Sequence, residues 1–197
     1  MKVFIIVLVL IFSLQSWTKA DDISDFEIEG MSVGDSALDY FSEEEMKNFY
    51  PINYPASNKF AGFEVPLDNI VTKSFKTYDT IGFHFKKSDK NLKFVGLKGI
   101  IEYPNNIKDC LKQKRKVVQE IRSILNNSKE ENYEGGYGSE SKSVAYISDF
   151  IQQNGHIRVW CSDWDQKTET DKGFLDDLSV AIETVDFINW INDGAYN

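Results

Sequence analysis

Four carboxylates, Asp163, Asp165, Glu169 and Asp171, crowd the polar stretch 162–173. Side-chain oxygens gathered this densely are the hard ligands that calcium takes. The stretch lacks the D-x-[DN]-x-[DN]-G order of a dedicated calcium loop, and Lys167 and Lys172 dilute its field. It therefore reads first as a solvated acidic hairpin, with calcium the one cofactor it could hold. Two carboxylate pairs, Asp163 with Asp165 and Asp176 with Asp177, are groups a hydrolase could use for acid/base work. That work needs burial that parts their pKa values, and the local sequence shows no source of it. His84 and His156 form no H-x-x-x-H pair, so each reads as a satisfied or exposed side chain rather than a metal ligand. No H-E-x-x-H motif occurs, and no catalytic residue is assigned.

Cys110 and Cys161 are the only cysteines. In an exported chain two cysteines pair most simply with each other, and closing the loop between them stabilises the fold by about 4 kcal/mol. Their spacing is not C-x-x-C, which argues against a thiol nucleophile or a metal site. Export is read from residues 1–20, where Lys2 precedes an apolar run from Val3 to Phe12 and Thr18-Lys19-Ala20 ends in a small residue. Residues 21–197 then make one domain. No later segment has the length and apolarity of a membrane span. A formal net charge of −9 favours solubility and argues against a nucleic-acid partner. An aromatic content of 14 % is too high for a disordered chain.

The elements that must position these groups follow from periodicity. Apolar residues at Ile107, Cys110, Leu111, Val117, Val118 and Ile121 recur three or four apart and predict an amphipathic helix over 107–125, capped by Asn106. Ile157, Val159 and Cys161 alternate with His156, Arg158 and Trp160, which predicts a strand with two different faces. Residues 143–151 form its hairpin partner across Asn154-Gly155. Strands are also predicted over 78–85 and 92–103, the second with Val95, Leu97, Ile101 and Tyr103 on one face, and around Leu178, Val180 and Ile182. A short helix over 37–46 opens the domain and another around Phe187, Trp190 and Ile191 closes it. Residues 49–55 read as an extended segment packed over the sheet, 56–77 as an irregular stretch with Phe60, Phe63 and Val65 buried, and 126–142 as a loop. Lys112, Lys114, Arg115 and Lys116 read as a solvated helical face. The sum is an α+β fold, a mainly antiparallel β-sheet packed against one long amphipathic helix, with a partly closed barrel-like sheet as the alternative.

The run DFEIEGMSVGDSALDYFSEEEMKN, with Gly30, Gly34 and Asp35, resembles the mature start of a group of small, uncharacterised secreted proteins of marine alphaproteobacteria of the Pelagibacter type. The downstream cysteine near a helix start and the C-x-D-W strand end fit the same group. The resemblance implies export and a bacterial setting, and brings no known activity or functional residue. The expected function is a periplasmic or secreted, non-enzymatic binding module. Its partner is an envelope protein, a polymer, or a small solute held near the aromatic segment 49–63. The alternatives are a hydrolase using the loop carboxylates and a calcium-stabilised surface module.

Overall fold

A computed structural model describes residues 22–55, 59–66, 76–125, 127–138 and 141–196; the leader read over residues 1–20 lies outside them. Eight strands form one antiparallel sheet: β1 (Tyr50–Ile52), β2 (Phe60–Pro66), β3 (Thr80–Lys86), β4 (Phe94–Glu102), β5 (Lys129–Gly136), β6 (Val144–Ile151), β7 (Gly155–Asp163) and β8 (Asp177–Thr184). Their spatial order is β1-β2-β3-β4-β8-β7-β6-β5. Two four-stranded meanders are thus joined where β4 pairs with β8. The connection between them is α2 (Ile107–Ile124), and three short helices complete the fold: α1 (Glu43–Met46), α3 (Gln166–Lys172) and α4 (Val185–Asp193). No described helix is long and apolar enough to cross a membrane.

Alternation sends side chains of each strand to two faces, and register fixes which residues share one. One face carries Ile81 and Phe83 on β3, Leu97 on β4, Leu178, Val180 and Ile182 on β8, and Ile157 and Val159 on β7; all are buried. Helix α2 meets this face chiefly at β7 and β8, burying Cys110, Val117, Val118 and Ile121. Cys110 is bonded to Cys161 with their Cα atoms 6.1 Å apart. Ile23, Met31 and Phe41 of the N-terminal segment join the same core, and Phe41 stacks on Phe83 at 5.5 Å.

The expected α+β arrangement, a sheet organised by one long helix with a short helix at each end, is corrected. The eight-stranded sheet dominates, and β1, β2 and β5 occupy stretches where the sequence predicts no regular strand. Strand β1 carries Pro51 at the sheet edge, where a missing N–H costs no ladder bond. Strand β5 is the other edge, and its sequence KEENYEGG has the charge that keeps an edge from pairing further, a composition that mimics a loop. The barrel alternative is not formed: β1 and β5 end the sheet among the described residues. The expected helix over 37–46 is instead a three-residue 3-10 turn, Ala37–Asp39, and the single turn α1, closed by a Ser42–Glu45 capping box. The stretch 162–173 is the end of β7 followed by α3, not a hairpin. Between His84 and Phe85 the β3–β4 register shifts, pairing Phe85 with Phe94. This bulge puts Phe94, rather than the expected Val95, in the core.

Helix α4 packs across the second face at one end of the sheet. A Cβ on Gly96 would stand 3.2 Å from the Phe187 ring, and one on Gly99 would enter the Tyr78 ring, so both glycines permit close packing. Beneath α4 the buried His84 lies 4.4 Å from Phe187 and bonds Tyr54 Oη at 2.7 Å through Nε2. Burial, with Lys98 nearby, lowers its pKa to about 3. The folded form therefore stays neutral while an unfolded histidine gains a proton below about pH 6.5, so stability falls as pH drops through that window. Unfolding titrations should show a loss of about 2 kcal/mol between pH 7 and 5 from this group. His84→Gln should abolish that component, and an unchanged pH profile in the variant would refute the assignment.

Candidate functional site

The rest of the second face is polar, and its organisation appears only in the register. Glu64, Gly82, Lys98, Ala181, Arg158, Asp149 and Glu131 are successive cross-strand neighbours from β2 to β5. Two ion pairs lie in this row. Lys98 Nζ reaches across Gly82 to Glu64 Oε1 at 2.9 Å, and Arg158 Nη2 meets Asp149 Oδ2 at 2.7 Å. Both cations turn away from β8, towards opposite edges of the sheet. Between them lie the small residues Ala181 and, one step along β8 on the same face, Ser179, both buried.

Two further acids of β8 share this face. Glu183, half-buried, has its pKa raised by burial, while Arg158 and Lys98 work the other way. Asp177 is likewise raised by burial, though it accepts from Ser179 Oγ at 2.7 Å and Trp164 Nε1 at 3.3 Å. Asp149 is only 3 % exposed; burial pushes its carboxyl up, but the contacts to His156 and Arg158 hold it below the usual value. Its Oδ1 stands 3.5 Å from His156 Nδ1, and neither atom has a closer hydrogen-bond partner among the described residues. Trp160 pairs with Ser179 in register, beside Ile147 and the exposed Tyr133.

The carboxylates singled out in sequence do other work. Asp165 caps α3: its Oδ1 accepts from the Lys167 and Thr168 amides, and its Oδ2 from Ser141 Oγ, Ser143 Oγ, Thr168 Oγ1 and the Lys142 amide. These bonds, the Thr168 amide first, hold its carboxyl far below the ordinary range. Glu169 and Asp171 project from α3, while Asp163 ends β7. No group of three or more His, Cys, Asp or Glu side chains is gathered as a metal-holding set among the described residues. The pair Asp176 and Asp177 positions Trp164, through its backbone amide at 3.0 Å and its indole respectively. Replacing Asp165 with Ala should open α3 and release residues 141–143, seen as faster amide exchange confined to those segments; unchanged exchange would show the cap to be dispensable.

Other expectations are likewise relocated. Lys114 is not on a solvated face but donates to Ser148 Oγ at 2.6 Å. Of the aromatic segment, Phe49 and Phe63 pack on Phe83, and Phe60 on Phe187 and Trp190, so its rings fill the core rather than line an opening. Residues passed over in sequence, Glu64, Lys98, Asp149, Ala181 and Glu183, make the polar row and its neighbour. The only local signal was alternation, since Asp177, Ser179, Ala181 and Glu183 interleave with the buried Leu178, Val180 and Ile182.

Set beside known proteins, the chain matches no family model, no curated protein and no solved structure.

Proposed function

We propose that this chain is an exported binding module, periplasmic or secreted, that holds a small polar solute on the polar face of its sheet. The observation that carries this reading is the row Glu64–Lys98–Ala181–Arg158–Asp149, with Glu183 beside it. Burying charge costs stability unless each group is compensated, and a face serving only as a lid for the core would be cheaper with small polar or apolar residues. The two ion pairs turn their cations away from β8, and a rigid antiparallel sheet holds the polar groups in place without rearrangement. Export is supported by the apolar run after Lys2 and by the Cys110–Cys161 bond, which persists in oxidising compartments.

The test is chemical-shift mapping of isotope-labelled protein spanning 21–197, titrated with a panel of amino acids, amines and monosaccharides. Saturable shifts should concentrate at Lys98, Arg158, Ser179, Ala181 and Glu183. Shifts confined to the α2 face, or none on the polar face across the panel, would overturn the reading.

A further inference from the structure

We propose that the outer side of α2 docks the protein on an anionic lipid bilayer, a peripheral, salt-sensitive contact that stands apart from the solute reading of the polar face. The helix sequence IKDCLKQKRKVVQEIRSI holds six cations and two acids, a net +4 within a chain whose formal charge is −9. Cys110, Val117, Val118 and Ile121 mark the side of α2 that meets the sheet. Lys108, Lys112, Arg115 and Lys116 all fall within about 60° of the opposite pole at 3.6 residues per turn, and all four are exposed. They form a stripe about 12 Å long.

The fold gives this stripe no counter-charge. The other two cations of the helix have partners, Lys114 at Ser148 Oγ and Arg122 at Glu130 Oε1, whereas the four of the stripe make no ion pair among the described residues. Lys112 stands four residues from both Lys108 and Lys116 and three from Arg115, spacings at which like charges repel along a helix. Asp109 and Glu120 flank the stripe on one side, and Asp109 is bonded to Asn106 of the cap. An acidic protein that concentrates unpaired cations on one outward line is complementary to an anionic surface. A folded acidic partner would need an apolar anchor at the centre of the contact, and no exposed large apolar side chain among the described residues lies on α2. A polymer strand would need walls, and the stripe crowns the convex side of a single helix. A plane of lipid phosphates supplies counter-charge at any lateral spacing, and three of the four cations are lysines, compact charges on flexible stems that need no bidentate geometry. Because α2 covers the first face of the sheet, docking turns the polar second face away from the bilayer. The acids of that face lie behind the sheet and a helix about 10 Å across, so salt screens them from the lipid over a Debye length of about 8 Å.

Vesicle co-sedimentation of the exported chain, residues 21–197 with its disulfide formed, tests this; the described fold begins at residue 22. Vesicles of three parts phosphatidylcholine to one part phosphatidylglycerol should bind half of the protein at about 1 mM accessible lipid at physiological salt, the partition expected for four cations. Pure phosphatidylcholine vesicles, or half-molar salt, should leave it in the supernatant. Lys112→Gln and Lys116→Gln should each weaken binding about fivefold, and the two together with Lys108→Gln and Arg115→Gln should abolish it, with Tm confirming that each variant folds. Lys90→Gln, an exposed cation in the β3–β4 turn, removes the same charge elsewhere and should change nothing. Amide shifts on adding anionic lipid should follow the outer side of α2 and spare β8. Equal losses from Lys90→Gln and Lys112→Gln would make the effect one of net charge and overturn the proposal, as would equal binding to neutral vesicles or none to anionic ones. Soluble polyphosphate bound through the stripe while anionic vesicles are ignored would overturn the bilayer in favour of a polymer. None of these failures touches the solute reading, whose signal lies on the opposite face.

Discussion

Replacing both cysteines, Cys110→Ala with Cys161→Ala, should lower the unfolding free energy by about 4 kcal/mol. The bond closes a separation of 51 residues, and cross-linking a loop of that size removes a large part of the unfolded chain's conformational freedom. The enclosed chain comprises most of α2, β5, β6 and most of β7, so without the bond the helix and three strands of one meander are held in place by their packing on β8 and the core. For a domain of this size the loss should appear as a fall in Tm of about 10 °C. Both sulfurs belong to fully buried residues, so a reductant should act slowly on native protein and quickly in urea. Equal urea midpoints for the double variant and the parent would show that the bond contributes nothing beyond the packing around it.

Phe83→Ala should cost about as much, some 4 kcal/mol, from a single side chain. Phe83 is fully buried on β3, and among the described residues five rings surround it: Phe94 at 5.3 Å, Phe41 at 5.5 Å, Phe63 at 5.8 Å, Phe49 at 6.2 Å and Phe85 at 6.3 Å. Those rings come from the N-terminal segment and from β2, β3 and β4, so no single neighbour can move to fill the void without losing its own contacts. Phe83→Leu, which retains most of the volume, should cost less than half as much. Phe174, which is 43 % exposed, is the control, and Phe174→Ala should change stability by less than about 1 kcal/mol. If Phe83→Ala and Phe174→Ala proved equally mild in chemical denaturation, the aromatic cluster would not be the centre of the core.

The polar face explains why the rest of the molecule is built so asymmetrically. A face with two ion pairs and two desolvated acids contributes little net stability, because desolvation offsets much of the Coulombic gain. The opposite face must supply the burial, and it does so with α2, the N-terminal segment and the disulfide all on one side. His84, packed under α4 and bonded to Tyr54, secures the cover at the end of the polar face where the sheet would otherwise lie open.

Local periodicity determined a good deal. The helix over 107–125, the hairpin of β6 and β7, the faces of β3 and β8 and the two-sided character of His156, Arg158 and Trp160 all follow from spacings of two or of three to four residues, which are properties of neighbours in the chain. The cysteine pair is also legible, because with only two there is one pairing to make. Edge strands β1 and β5 were illegible for a physical reason: an edge is protected by proline and charge, the same residues that mark a loop. The role of Asp165 was hidden because a helix cap and a metal ligand draw on the same carboxylate, and only the donors around it decide between them. The polar row depended wholly on tertiary structure. Glu64, Lys98, Ala181, Arg158 and Asp149 come from five strands, and what brings them into line is the pairing of β4 with β8 across some eighty intervening residues. A one-residue slip there would send every one of those side chains on one half of the sheet to the opposite face.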